Sequence, residues 1–298
     1  MQVLGKERNG DLERKLFCEL SPFAYAISRR RCICRRTVED LLSGVEFADE
    51  RLTEPLPFVI YRYNSLIRRQ LGNVDMRLQE NKAVNLSIAA PKIDRVVIRS
   101  GQTFSLWHLV GSCTAQKGYR EGLTISGGRP TQGIGGGLCQ LTNLIHWMVL
   151  HTDLEITEHH HHDQVDLFPD YKRVIPFGMG TSIFYNYLDY RFRNNTDRDY
   201  QLIVYTTDRY LCGEIRSSGK QEQKYHIVSE NNCFTREQDG VYRNGEVYRQ
   251  VVDCRTGNLL RRELLKVNHA KVCYDTSGLE IVGSVNGTSV FERREGTE

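Results

Sequence analysis

Apolar side chains return every three or four positions through residues 1–80, a spacing that predicts helix. In DLERKLFCELSPFAYAISRR the pattern runs to Pro22, where a break or a fresh start is expected. PLPFVIYRYNSLIRRQL reads as a short connector and a further helix. MRLQENKAVNLSIAAPKIDRVVI places Asn81, Lys82 and Asn85 at helical spacing and should leave the helix before Pro91. The period then changes. RVVIRSGQTFSLWHLVG predicts a strand, a turn at Ser100–Gly101 and a second extended piece. Glycines crowd the stretch from Gly101 to Gly137, which predicts a loop-rich surface with tight turns.

LTNLIHWMVL restores the helical period. It predicts a helix from about Leu138 to Thr152, with Leu138, Leu141, Leu144, Ile145 and Met148 on the buried stripe. LEITE is strand-like. NYLDYRFRNNTDRDYQLIVYTT alternates apolar and polar residues around Asn194–Asp197 and reads as a β-hairpin. The final third is strand-rich, with turns expected at Asp239-Gly240, Asn244-Gly245 and Thr256–Asn258. The pattern predicts an α+β protein. A helical amino-terminal portion (residues 1–53) precedes a glycine-rich α/β central domain with a cysteine-bearing helix (54–219). A β-rich part (220–275) and a weakly ordered tail (276–298) follow.

Composition narrows the function classes. Of 298 residues, 40% are hydrophobic and 26% charged, as in globular proteins. A net charge of +3 is too small to suggest nucleic acid as a partner. No apolar run has the length of a membrane span or the layout of a secretion signal, so a cytoplasmic location is expected. The nine cysteines include no Cys-x-x-Cys pair, which fits a reducing compartment better than a disulfide framework. The basic run from Arg29 to Arg36 is a potential contact for anionic surfaces, although a solvated helix face is the plainer reading.

The densest chemistry lies in GIGGGLCQLT, Gly133 to Thr142. Gly135, Gly136 and Gly137 open a tight approach to the main chain just before a helix begins. Amide N–H groups at a helix start lack intrahelical partners, and the helix dipole adds positive potential there. A thiol at Cys139 should therefore ionise more readily than a free cysteine. Donors around Leu138 to Gln140, with the Gln140 side chain, would suit a developing oxyanion. This pattern fits a nucleophilic cysteine that attacks a carbonyl, and it equally fits a buried cysteine packed where only glycines fit. The lack of a Lys-Ser/Thr ending argues against a phosphate-binding loop.

A cysteine nucleophile needs a base, most often histidine. His146 lies two helical turns from Cys139, about 10 Å along the axis, and reads as packing or substrate contact. The tract His159–His162 follows LEITE and could fold back toward the helix start, with His162 or His161 as the base and Asp163 or Asp166 orienting it. An incidental surface tract and a metal site are the alternatives, although four consecutive histidines do not easily converge on one ion. No metal ligand and no cofactor is assigned. Tyr119, with Gly118 and Gly122, could shape a substrate groove beside Asn143. Arg129 and Arg173 could meet a substrate carboxylate, and Asp189 reads as a hairpin-edge charge or a hydrogen-bond organiser.

LQENKAVNLSIAAPKIDRVVIRSGQTFSLWHLVG, KGYREG, GIGGGLCQLTN and NYLDYRFRNNTDRDYQL occur in this order, and the chain from about residue 54 to 275 resembles the VanW family. The resemblance implies a link to glycopeptide resistance and peptidoglycan. For some members it implies L,D-transpeptidase activity on stem peptides, with the nucleophile at Cys139. It also implies a Glu-Arg-x-x-His-Ser pattern after the helix. Here Glu158 matches, His159 replaces the arginine, Asp163 replaces the serine, and His162 or His161 takes the histidine position. Family members acting on the wall are exported or anchored, so the resemblance points to the cell envelope where composition points to the cytoplasm. An accessory role, binding peptidoglycan precursors or a resistance enzyme without catalysis, is the competing expectation.

Overall fold

The computed structural model describes residues 17–70, 74–126, 128–161, 164–169 and 174–284. The chain divides into two compact units, one ending at Gly44 and the other beginning at Val45. In the first unit a single turn of 3-10 helix, Phe17–Glu19, precedes helix α1, Pro22–Leu42. Pro22 starts this helix, since its fixed φ and missing N–H suit the first turn. The Ser21 hydroxyl caps it by accepting from the Ala24 N–H at 3.1 Å. The Arg29–Arg36 run lies on α1, where Arg35 pairs with Glu39 at 2.7 Å and Arg36 with Asp40 at 3.5 Å.

The second unit opens with strand β1, Phe58–Leu66, where a helix was expected. Its aromatic and β-branched residues fit a pleated surface, and pairing decides the matter. Helix α2, Met76–Ala89, ends before Pro91 as its sequence requires. Strands β2, Val97–Ile98, and β3, Thr103–Ser105, flank the Ser100–Gly101 turn and lead into the short helix α3, Leu106–Val110. The glycine-rich stretch is less irregular than expected. It contains an antiparallel hairpin of β4, Glu121–Ser126, and β5, Arg129–Ile134. Helix α4, Cys139–Val149, follows, then β6, Glu155–Glu158, and β7, Val165–Asp166.

The segment around Asn194 is not a hairpin. Strand β8, Arg191–Arg193, joins β3 and β6 in one sheet, whereas β9, Tyr200–Thr206, joins β2 and β10, Tyr210–Ser217, in another. The fully buried Asn194 explains the crossing. Its amide donates to the carbonyls of Ile98 at 2.9 Å and Arg198 at 2.6 Å, which pins the chain between the two sheets. Strand β1 completes the second sheet by pairing with β10, from Phe58 opposite Ser217 to Leu66 opposite Tyr210.

The carboxyl-terminal part is a meander of three long strands: β11, Gln223–Glu237, β12, Gly240–Asp253, and β13, Leu259–Val272. Asn244-Gly245 lies inside β12 instead of forming a turn. The Asn244 side chain is claimed across the strands by the Thr235 hydroxyl at 2.9 Å and His269 Nδ1 at 2.7 Å. Within the expected tail, Ile281–Ser284 forms strand β14, parallel to β11. The molecule is therefore α+β, with helices towards the amino terminus and a strand-rich carboxyl-terminal part.

Helix α4 is the centre of the core. Leu141, Leu144, Ile145 and Met148 are fully buried, and so are Phe104, Phe192 and Tyr200 around them. Each such side chain contributes on the order of 2 kcal/mol on burial. The helix lies so close to β10 that a Cβ on Gly213 would sit 2.5 Å from Leu144 Cδ2. This contact fixes the depth and rotation of α4, and with it the placement of its first residues.

Candidate active site at the start of helix α4

The three glycines ahead of Cys139 are explained by close approach. Gly135 and Gly137 have φ of +78° and +87°, a region that other residues rarely adopt. Gly136 lies backbone to backbone against Gly122 of the hairpin, and a Cβ on Gly136 would stand 2.3 Å from the Gly122 carbonyl. Asn85, fully buried on α2, ties the two together. Its amide donates to the carbonyls of Gly136 at 2.9 Å and Arg120 at 3.0 Å, and its oxygen accepts the Arg120 N–H at 2.8 Å. The stem of buried Lys82 fills the space a Gly137 side chain would take. Its amine donates to Gln79 Oε1 at 2.7 Å, and burial lowers its pKa from 10.5 to about 7.

Cys139 is the first residue of α4 and retains partial solvent exposure. Its thiol is nevertheless densely surrounded, and burial pushes its pKa up. The Ile183 N–H and the residue's own N–H act in the opposite direction without overcoming burial. This reverses the expectation of a readily ionised thiol. A helix terminus supplies roughly 0.3–1 kcal/mol, less than one pKa unit, whereas full burial can shift a group by several units. Part of the residue reaches solvent, but the dense surroundings of the sulfur govern its charge, so the thiol rests neutral.

Segment 180–183 lies between the helix start and the histidine tract. Asn143, one turn after Cys139, accepts from the Thr181 N–H at 2.7 Å and the Thr181 hydroxyl at 2.9 Å. The Thr142 and Thr181 hydroxyls contact each other, and the Thr142 hydroxyl donates to the Cys139 carbonyl at 3.1 Å. From the other side, His159 Nε2 donates to the Gly180 carbonyl at 2.8 Å, and the Ser182 N–H donates to the His160 carbonyl at 2.7 Å. A Cβ on Gly180 would lie 3.2 Å from His161 Nε2 and 3.9 Å from Asn143 Oδ1. Residues 20 positions apart in sequence thus meet across one short segment.

The family model described as VanW like protein matches residues 81–216, which include this whole arrangement. The vancomycin B-type resistance protein VanW of Enterococcus faecalis is 33% identical over 219 residues, covering 74% of this chain and 79% of that protein. The chain belongs to the VanW family. A second relative, the uncharacterized protein YoaR of Bacillus subtilis, is 28% identical over 131 residues, or 44% of this chain and 40% of its own length. No solved structure matches the chain. Membership places the chain in a bacterial family linked to vancomycin resistance.

In this VanW-family protein the Gln140 side chain is committed to strand β1. Its amide donates to the Ser65 hydroxyl and the Leu66 carbonyl, both at 2.9 Å, and the Gln140 N–H donates to the Gly137 carbonyl at 3.1 Å. Tyr119 is 2% exposed and belongs to the core rather than to a groove wall. Arg129 stands exposed where β5 begins, paired with Ser126 at the turn. Five residues of strand, about 17 Å, separate it from Ile134 near the glycine loop. His162, Asp163 and Arg173 lie outside the described residues. Asp166 is bound to Arg243 at 3.3 Å and to the Tyr274 hydroxyl at 3.0 Å. Among the described residues no group of three or more His, Cys, Asp or Glu side chains could hold a metal ion. No described helix is long and apolar enough to cross a membrane.

Glu158 and Asp189 brace the histidine tract. Asp189 is 1% exposed, so its pattern within an alternating stretch did not mark a hairpin edge. It accepts from the Ser105 hydroxyl at 2.5 Å, the Trp107 N–H at 3.1 Å and Arg191 Nε at 2.8 Å. Glu158 accepts from the Asp189 N–H at 2.8 Å and from His160 Nε2 at 2.9 Å. Sequence reasoning missed Gly180, Thr181 and Ile183. MGTSIF has no periodicity or reactive side chain to single it out, and its role comes entirely from where the fold lays it.

Proposed function

We propose that this VanW-family protein is a cysteine acyltransferase acting on the stem peptides of peptidoglycan or its precursors, with Cys139 as the nucleophile. What chiefly supports this reading is the attachment of segment 180–183 to Cys139 and Asn143 on one side and to the histidine tract on the other. Because burial keeps the resting thiol neutral, the reaction depends on a base, and His161 beside Gly180 and Asn143 is the described imidazole best placed for it. The thiol proton passes to His161 as sulfur bonds to the carbonyl carbon of the L-centred residue. The peptide C–N bond breaks, and the imidazolium returns the proton to the leaving amine. An acceptor amine then attacks the thioester and loses its proton to the imidazole. The C–S bond breaks, and the thiolate is reprotonated. The negative oxygen formed in each half would face the N–H groups of Leu138 and Cys139 at the helix start.

A non-catalytic accessory role is the second reading. It is favoured by the raised thiol pKa and by the Gln140 amide being committed to Ser65 and Leu66. Turnover separates the two. With a stem tetrapeptide and an amine acceptor, release of the terminal residue should fall by at least about 10³-fold in Cys139→Ala and by about 10²–10⁴-fold in His161→Gln. A wild-type protein that binds the tetrapeptide but releases its terminal residue no faster than Cys139→Ala contradicts the enzymatic reading.

A further inference from the structure

A cavity of about 270 Å³ lies beside the histidine tract, bounded by α4, β6 and β13. Among the described residues its polar side chains are three imidazoles and one amine: His146, His159, His161 and Lys266. Ile156 and Leu265 supply apolar walls. His146 is 2% exposed, and its Nε2 has no hydrogen-bond partner among the described residues. A buried polar atom left in this way costs on the order of 1–3 kcal/mol unless something from outside satisfies it.

The hydroxyl of Tyr190, a residue only 1% exposed, lies 3.1 Å from His146 Nδ1. A phenol has one proton to donate, and Nδ1 is the partner within reach. With Tyr190 donating to Nδ1, the neutral imidazole carries its proton on Nε2. Burial keeps His146 neutral, and so does its neighbour His159, whose ring stacks on it at 4.2 Å and 15°. His159 is fixed in turn by donating from Nε2 to the Gly180 carbonyl. The lone Nε2–H of His146 therefore calls for an acceptor, and the Lys266 ammonium, near enough to act on His159, favours an anionic one.

We infer that this cavity is a binding pocket for the carboxylate of a small amino-acid or peptide ligand, held by the His146 Nε2–H and Lys266, with a short apolar side chain against Ile156 and Leu265. The volume is just below the roughly 300–1,000 Å³ of pockets for drug-sized ligands, which suits one or two residues. His146 lies seven residues beyond Cys139 on α4, about 10 Å along the axis. That span equals about three residues of extended chain, so a peptide anchored here could present a carbonyl to Cys139. This last connection rests on the acyl-transfer reading. The pocket itself does not.

The test uses full-length protein carrying Cys139→Ser, so that binding is read without chemistry. N-acetylalanine and N-acetylalaninamide are titrated by calorimetry and by nitrogen-15 NMR of the histidine side chains. The acid should move the His146 Nε2 resonance and bind at least about tenfold more tightly than the amide, a difference of about 1.4 kcal/mol. Lys266→Gln should erase most of that preference. His146→Phe should abolish the binding, and if that variant fails to fold, filling the pocket with Leu265→Trp serves the same purpose. Equal affinity for acid and amide, or an acid that leaves the His146 resonance unmoved, would mean a water-filled cavity only and would overturn the inference. Loss of the pocket with Cys139 turnover intact would leave the acyl-transfer reading standing.

Discussion

Gly136→Ala is expected to destabilise the protein by more than about 4 kcal/mol, a large part of the roughly 5–15 kcal/mol typical of a folded domain. The methyl group would stand 2.3 Å from Gly122 backbone atoms, and a Cβ on Gly122 would meet the Gly136 carbonyl at the same 2.3 Å. No side chain can rotate aside, because both partners are main chain. Nor can the loop retreat, since Asn85 holds the Gly136 carbonyl at 2.9 Å and the hairpin at Arg120. Gly133→Ala is the control. Its φ is not positive, and its Cβ would find Thr124 Cγ2 at 3.5 Å, an ordinary contact. Denaturant unfolding of the two variants should differ by several kcal/mol. Similar midpoints for both would show that the hairpin and the glycine loop are not in firm contact.

Acid is expected to destabilise the fold well before the carboxylates titrate. Burial lowers the His151 pKa from 6.5 to about 4, and burial also lowers His146 and His159. His151 stacks on Tyr61 at 3.8 Å, and its Nδ1 lies 2.7 Å from the Trp147 carbonyl. Above pH 6.5 these imidazoles are neutral in folded and unfolded chains alike. Between pH 6.5 and about 4 the unfolded chain takes up protons that the folded chain refuses, so stability falls as pH falls. His151 alone accounts for about 3 kcal/mol across that window. Chemical denaturation at pH 7.5 and pH 4.5 should show the loss, and His151→Phe should reduce it. Stability that is flat or rises as pH drops through this range would mean that the imidazoles are not held neutral.

The sequence carried much of this arrangement and misdirected at identifiable points. Helices α2 and α4 were legible because apolar spacing, Pro91 and the glycines bounded them. The glycine loop stood out by composition, although its reason, contact with Gly122 and Lys82, required the fold. Strand β1 read as helix because FVIYRYNSL offers apolar residues at both spacings, and only pairing with β10 settles the period. The Asn194 region read as a hairpin because turn residues there lead out of one sheet into another. At Cys139 the local argument for an ionised thiol was sound as far as it went, but burial, which no local pattern reveals, outweighed the helix terminus. Gln140 was committed elsewhere because Ser65 and Leu66, on a strand more than 70 positions away, lie beside it.

The most direct measurement of the central claim is the intact mass of the protein quenched during reaction with a stem tetrapeptide. A covalent acyl group is predicted on the wild-type chain, mapping to the peptide that contains Cys139 and absent from Cys139→Ser. A wild-type chain that stays unmodified while the tetrapeptide is bound, or an adduct that persists in Cys139→Ser, would contradict it.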